Sequence, residues 1–390
     1  MAPFSKRVIR RGSRIRVMVV DDSVVIRRLV THVLEKDSML EVVGTAANGA
    51  LALDRIPHWK PDVITLDIEM PEMSGLELLP QLRAVHPDLR VIMFSTLTER
   101  GASATMEALT LGADDYVTKA SNVGSLDLSM AALQAELIPK IKQFFATEAA
   151  APAPIVASRP ALAGSRAAGT LLNPQVLAIG VSTGGPTALG EIMPQFPEHF
   201  PLPILIVQHM PPVFTRLLAE RLQTRTKIQV HEATAGMIVE PGHAYIAPGD
   251  YHMRIRREGT KVSILLDQSA PENSCRPAVD VLFRSVQEVY GSSSIAAVLT
   301  GMGYDGLRGA TGLHAEGAYI IAQDEASSVV WGMPGAVASA GIANSILPLT
   351  DFVPHLLQMT EAISARRLSP LSSVPSPRVA SPLRSPGIIH

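Results

Sequence analysis

The chain carries the same pattern twice: short β-branched apolar runs alternate with stretches whose apolar residues recur about every 3.6 positions. In the first block the runs are RVMVV (16–20), DVITL (62–66), VIMFS (91–95) and DYVTK (115–119), with helical patterns over 23–36, 49–58, 74–85 and 99–112. Such alternation builds an open parallel sheet with helices on both faces. The second block repeats it with QVLAIGV (175–181), PILIVQ (203–208), SIAAVLT (294–300) and AYIIAQ (318–323). Within 243–266, AYIAP, YHMRIRR and KVSILL read as short antiparallel strands. The expected class is therefore α/β, with two doubly wound parallel-sheet domains, the second carrying an antiparallel addition. A helix is expected over 127–145, kinked or divided by Pro139.

Between the blocks, residues 146–172 hold ten Ala and three Pro without sustained periodicity and read as a linker. The last 25 residues contain eleven Ser or Pro and too little apolar surface to fold. The expected boundaries are a basic tail over 1–14, a first domain over 15–145, the linker over 146–172, a second domain over 173–363 and a disordered Ser/Pro/Arg tail over 364–390. Residues 1–16 carry six Lys or Arg and residues 366–390 carry four, neither with an acid; setting these aside leaves 24 basic against 36 acidic side chains. An acidic body with only 9 Phe, 6 Tyr and 2 Trp argues against nucleic acid as a partner. Cys275 stands alone, so no intrachain disulfide can form, which suits a reducing compartment. No run approaches about 18 apolar residues and the basic amino terminus lacks an apolar signal segment, so no transmembrane segment is expected and the cytoplasm is the expected location.

Asp21 and Asp22 end the first strand, Asp67 ends a later one, and Lys119 ends the last. The carboxyl ends of parallel strands share one edge, where ligands bind, so these four should meet there. Three carboxylates held together repel one another, and a hard divalent cation, Mg²⁺ first, would relieve that repulsion and neutralise a phosphoryl donor during attack by a carboxylate, with Lys119 on a phosphoryl oxygen. The first block resembles a response-regulator receiver domain over about 15–140, on the Asp21-Asp22 pair, Asp67 in DIEMPEMSG, Ser95 after VIMF, and Tyr116 and Lys119 in DYVTK. The resemblance implies that Asp67 is the phosphoacceptor, that Asp22, Asp67 and the Glu69 carbonyl hold Mg²⁺ with Asp21 nearby, and that Ser95 and Tyr116 respond to phosphorylation. Ala120 stands where receivers usually have Pro.

In the second block VLAIGV runs into Ser182, then Thr183-Gly184-Gly185-Pro186 and a helical pattern. A serine on such a turn is exposed beside a positive helix end and is a candidate nucleophile; the alternative is an ordinary helix cap. Phosphate binding at the turn is disfavoured, because the Lys-Ser/Thr ending of a P-loop and the later acid of a dinucleotide fold are missing. His209 and Asp305 follow two other strands, so three strand ends bring Ser, His and Asp to one crevice, as acyl transfer requires. Backbone N–H groups at Thr183 and near Met302 could bind an oxyanion. Gly180-Val181-Ser182-Thr183-Gly184 satisfies the nucleophile-elbow pattern, but the order Ser, His, Asp differs from that of α/β-hydrolases and predicts another topology.

Residues 173–363 strongly resemble the catalytic domain of chemotaxis protein-glutamate methylesterases, through GVSTGGP (180–186), VQHM (207–210), AYIAPGDYHM (244–253), RPAVDVLF (276–283) and LTGMGYDG (299–306). The resemblance implies hydrolysis of glutamate methyl esters on methyl-accepting chemoreceptors, often with glutamine deamidation, and a chemotaxis histidine kinase as phosphodonor to Asp67. Mg²⁺ is expected for phosphorylation and no cofactor for ester hydrolysis. Cys275 stands where the family commonly has His, and reads as a small half-buried residue. The alternatives are a receiver-gated esterase or amidase acting on another protein, and a phosphorylation-dependent binding protein with an inactive hydrolase-like domain.

Overall fold

The computed structural model describes residues 7–9, 13–119, 126–147 and 173–368. The first unit runs β1 (Arg7–Ile9), β2 (Ile15–Val20), α1 (Val24–Glu35), β3 (Leu40–Ala46), α2 (Gly49–Trp59), β4 (Val63–Asp67), α3 (Gly75–Val85), β5 (Arg90–Ser95), α4 (Glu99–Thr110), β6 (Asp115–Thr118), α5 (Leu126–Lys142) and β7 (Phe145–Thr147). Its five-stranded sheet has the order β3-β2-β4-β5-β6 with every pair parallel. Helix starts are capped from the sequence: Ser23, Asn48 and Thr98 side chains each accept from a first-turn N–H, and Ser74 with Glu77 forms a capping box.

The second unit continues with β8 (Val176–Val181), α6 (Gly185–Ile192), β9 (Ile204–Gln208), α7 (Phe214–Gln223), β10 (Gln229–Glu232), β11 (His243–Ile246), β12 (His252–Glu258), β13 (Lys261–Asp267), α8 (Val279–Tyr290), β14 (Ser294–Val298), α9 (Leu307–Ala315), β15 (Tyr319–Gln323), α10 (Met333–Ser339), β16 (Ser345–Leu347) and α11 (Leu349–Leu368). Seven parallel strands form one sheet in the order β10-β11-β9-β8-β14-β15-β16, and β12 and β13 make a separate antiparallel pair. Every residue of β8, β9 and β14 is buried, as near-continuous apolar runs covered on both faces require.

The α/β class with an antiparallel addition holds, with local differences. AYIAP was expected in an antiparallel arrangement; its strand β11 pairs in parallel with both β9 and β10 and buries Ala244, Tyr245 and Ile246, so it belongs inside the main sheet. Strands β3, β10 and β16 had no clear signal because they are sheet edges with mixed exposure. Helix α5 remains one helix through Pro139. Arg7–Ile9, in the stretch read as a tail, pairs with Phe145–Thr147, and α11 continues to Leu368. The remaining linker and tail residues, with Ala120, lie outside the described residues. Among the described residues no helix is long and apolar enough to cross a membrane.

The two units touch. The Tyr116 ring at the end of the receiver-like sheet stacks on Phe214 of α7 with centroids 4.8 Å apart, Arg216 reaches Glu99 of α4 at 2.8 Å, and the Thr187 hydroxyl donates to the Leu109 carbonyl at 3.4 Å.

Helix α8 covers the strands that lead into the second unit's crevice, with Val279, Leu282, Phe283 and Val286 fully buried. Phe283 also occupies the space against Gly309 of α9, where an added Cβ would lie 2.4 Å from its own Cβ. Phe283→Ala should therefore destabilise the second unit by about 3–5 kcal/mol. Urea unfolding followed through Trp331 in a Trp59→Phe background checks this; a loss below about 1 kcal/mol would contradict the packing described.

Candidate active site and phosphoacceptor cluster

At the carboxyl edge of the first sheet, Asp21 and Asp22 follow β2, Asp67 closes β4 and Lys119 follows β6. One carboxylate oxygen from each Asp lies within 4.8 Å of the others. Lys119 Nζ is 2.8 Å from Asp67 Oδ1 and 3.0 Å from Asp21 Oδ2. The second approach lacks hydrogen-bonding geometry, so Asp21 Oδ2 is a buried acceptor without a hydrogen bond. Burial, and the charge of Asp21, push the Asp67 carboxyl up to about 6 against the opposing pull of Lys119. This donor set fits Mg²⁺: hard oxygen ligands, an unsatisfied buried oxygen and excess negative charge. Glu69 and Asp22 line one hollow, and the exposed Glu69 side chain lies 3.0 Å from Arg100. Ser95 is buried, with its hydroxyl 2.6 Å from that of Thr105, and Tyr116 faces the second unit.

In the second unit, β8 is flanked by β9 and β14, so the residues after these three strands emerge side by side. Ser182 N–H donates to the Thr300 carbonyl at 3.0 Å and His209 N–H to the Val181 carbonyl at 3.2 Å, fixing both against their neighbours. The turn after Ser182 needs its glycines. Gly184 has φ 78°, and a Cβ on Gly185 would lie 1.9 Å from Gln208 Oε1. Gln208, buried beneath the turn, donates its amide to the carbonyls of Ser182 (3.0 Å) and His209 (3.3 Å).

His209 Nε2 lies 2.9 Å from Asp305 Oδ2. Asp305 is buried and also accepts from the backbone N–H groups of Val279 (2.7 Å), Asp280 (3.1 Å) and Gly306 (3.0 Å) and from Asn273 Nδ2 (2.7 Å). Burial works to raise its pKa, but the bonds from His209 and the backbone prevail and hold it at about 2. An ionised Asp305 keeps the proton on Nε2, which leaves Nδ1 as the nitrogen able to take up another. Burial likewise acts to lower the His209 pKa, and the bond with Asp305, helped by Cys275, overrides it and holds it above the ordinary value. Cys275 is not merely a half-buried filler: its Sγ is 3.6 Å from His209 Nδ1.

Ser182, His209, Met302 and Cys275 line one cavity, and so do Tyr116, Glu136 and Lys140 of the first unit. The backbone N–H groups of Thr183 and Met302 donate to no acceptor among the described residues, and the Ser182 hydroxyl forms no hydrogen bond there. The Thr183 hydroxyl donates across the domain boundary to Asp115 Oδ2 at 3.0 Å. Asp21, Asp22, Asp67 and Lys119 come together in one unit and Ser182, His209, Cys275 and Asp305 in the other, while Ser95 bonds Thr105 and Tyr116 lines the second unit's cavity. Gln208, Asn273, Asp280 and Asp115 were not singled out, although Gln208, Asp280 and Asp115 lie inside quoted motifs.

The CheB methylesterase family model matches residues 177–356 and the response regulator receiver domain model matches residues 17–130. A protein-glutamate methylesterase/protein-glutamine glutaminase of Trichodesmium erythraeum is 48% identical over 347 residues, covering 88% of this chain and 99% of the relative. The protein of that name from a Nocardioides species is also 48% identical, over 348 residues, covering 88% of this chain and 95% of its own. The crystal structure of the Thermotoga maritima CheB methylesterase catalytic domain is similar at 44% identity, covering 48% of this chain and 98% of that one, with a TM-score of 0.47. Near-complete coverage of these relatives at this identity assigns the chain to the protein-glutamate methylesterase/protein-glutamine glutaminase family, with a receiver domain and a CheB methylesterase domain matched along its own length.

Proposed function

We propose that the chain hydrolyses glutamate methyl esters on chemoreceptors, and deamidates receptor glutamines, in the cytoplasm, with its activity set by phosphorylation of Asp67 by a chemotaxis histidine kinase. The observation that carries this reading is the 2.9 Å bond between His209 and Asp305 in a cavity shared with Ser182. Ser182 Oγ attacks the ester carbonyl carbon while His209 Nδ1 takes the hydroxyl proton, and Asp305 stabilises the resulting imidazolium. The N–H groups of Thr183 and Met302 receive the oxyanion. Collapse breaks the bond to methanol, which leaves with the proton from His209, and water activated by the same nitrogen then frees the glutamate. An amide follows the same course, with ammonia leaving. Catalytic hydrogen bonds such as that from Ser182 to Nδ1 commonly tighten only when substrate binds. Ser182→Ala should lower methanol release from methylated receptor membranes by several orders of magnitude while the chain stays folded. Near-wild-type turnover would sink the assignment.

Receiver docking supports gating. Asp115, Tyr116 and Lys140 close one side of the cavity, and the Asp115 bond engages Thr183 beside the proposed oxyanion site. Phosphorylation of Asp67, with Lys119 and Ser95 contacting the phosphoryl group, favours an undocked or rearranged receiver. One hydrogen bond is worth about 1 kcal/mol, so Asp115→Ala should raise basal hydrolysis about fivefold without phosphodonor. Unchanged basal activity in a folded Asp115→Ala chain would count against this contact as part of the closure.

In the receiver, Asp22, Asp67 and the Glu69 carbonyl, with Asp21 nearby, would hold Mg²⁺, which would neutralise the incoming phosphoryl donor. The raised Asp67 pKa sets a sign: the folded chain holds an extra proton between about pH 4 and 6, so stability without divalent ions falls as pH rises through that window. Thermal unfolding across this range should show a slope that Asp67→Asn flattens. Near neutral pH, Mg²⁺ at a hundredfold over its Kd should restore about 2.7 kcal/mol, and excess chelator should remove it. An identical pH profile in Asp67→Asn would refute the assignment of the slope to this carboxyl.

A further inference from the structure

Beside the triad a second carboxylate is buried. Asp280 on α8 is fully buried, its Oδ1 accepting from Gly309 N–H at 2.8 Å. The side-chain amide of Asn273 lies between Asp280 and Asp305, with Nδ2 2.9 Å from Asp280 Oδ2 and 2.7 Å from Asp305 Oδ1. A primary amide has two N–H groups, so one nitrogen serves both carboxylates.

The loop that presents Asn273 is tightly held. Glu272 and Cys275 exchange backbone hydrogen bonds at 3.1 and 2.9 Å, and Arg284 of α8 grips the Glu272 carboxylate through two nitrogens. Asn273 and Ser274 sit at φ 52° and 63°, a left-handed conformation that Asn tolerates better than most residues. The same loop sets Cys275 Sγ 3.6 Å from His209 Nδ1. One pinned turn therefore touches both His209 and its acid partner.

We infer that Asn273 is a positioning residue for hydrolysis: its amide offsets the repulsion between Asp280 and Asp305 and fixes the Asp305 carboxylate in the orientation that aims His209 at Ser182. This rests on the reading of Ser182, His209 and Asp305 as the catalytic triad. Burial, with Asp305 as a smaller contributor, raises the Asp280 pKa, consistent with two acids competing for the same donors. The Asn273→Asp substitution would keep the size of the side chain but present a third carboxylate to the pair. The charged or titratable groups around the pair are His209 after β9, Glu272 and Cys275 on the loop, Arg284 on α8 and His252 on β12.

The test uses the full chain, phosphorylated with acetyl phosphate, and methanol release from methylated receptor membranes over a range of pH. Asn273→Ala should lower kcat about tenfold and Asn273→Asp about a hundredfold, with KM within about threefold of wild type. The added carboxylate of Asn273→Asp should also move the acid limb of kcat/KM to higher pH, because it favours the imidazolium form of His209. Combining it with Asp280→Asn, which restores the original number of carboxylates, should return the limb toward its wild-type position and recover at least tenfold in kcat. Circular dichroism identifies any variant that fails to fold, and the alanine and double variants then decide. Wild-type kcat in folded Asn273→Ala and Asn273→Asp overturns the inference, as does a loss of kcat with neither a shifted limb nor recovery in the double variant. A Ser182→Ala chain that still hydrolyses the ester in this assay would instead overturn the triad.

Discussion

The parallel pairing of β8 with both β9 and β14 is the constraint on which the second domain's chemistry depends. The register sets Val181 beside Gln208 and Gly180 beside Val298. A nucleophile leaving β8, an imidazole leaving β9 and a loop leaving β14 then have no alternative but to share one edge. Antiparallel pairing of either neighbour would send one of the three to the opposite edge. The first domain applies the same rule with β2, β4 and β6, which explains why two unlike reactions are each built from residues that follow strands.

The two acidic clusters answer the same electrostatic problem differently. In the receiver, Asp67 has one lysine and one backbone N–H against burial and the charge of Asp21, so its carboxyl is held up at about 6. That leaves a deficit which a divalent cation fits. In the catalytic domain, Asp305 has three backbone donors, an amide and an imidazole, and is held down at about 2. No cation is needed to keep it charged. Fixed dipoles suit a carboxylate that must only orient and stabilise, whereas a carboxylate that must attack an anion gains from a mobile countercharge.

Legibility in the sequence followed the physical range of each signal. Parallel strands buried on both faces are continuous apolar runs, so β4, β8, β9 and β14 could be read directly, and so could the residues that follow them. Edge strands such as β3 and β16 lack that run because one side faces solvent. The strand of Ala244 to Ile246 was misread because adjacency to the β12-β13 pair implied a meander, and nothing local encodes pairing with β9 some forty residues earlier. Asn273 and Gln208 were silent for a related reason: an amide signals nothing until its partners, 32 and 26 residues away, are in place. Pro139 lies within α5 without dividing it, and tertiary cover from buried Leu137, Ile138 and Ile141 overrides the local penalty.

Strand β6 gives the proposed gating its geometry. Five consecutive residues carry contacts at both ends of the mechanism: Asp115 bonds Thr183, Tyr116 stacks on Phe214, and Lys119 pairs with Asp67. Asp115 and Lys119 are four residues apart, so a shift of the strand's end that follows a phosphoryl group on Asp67 need travel only about 13 Å of extended chain to reach the cleft. The docked state joins polar and apolar contacts: the Thr183–Asp115 hydrogen bond is worth on the order of 1 kcal/mol, and Met106, Leu109 and Tyr116 share a buried apolar cluster with Phe214, Leu218 and Leu222. A phosphoryl group on Asp67 would bias the docked state by the 1–3 kcal/mol typical of coupling between sites. Because the two domains belong to one chain, the receiver stays at high local concentration beside the crevice, so closure needs less affinity than two separate proteins would require.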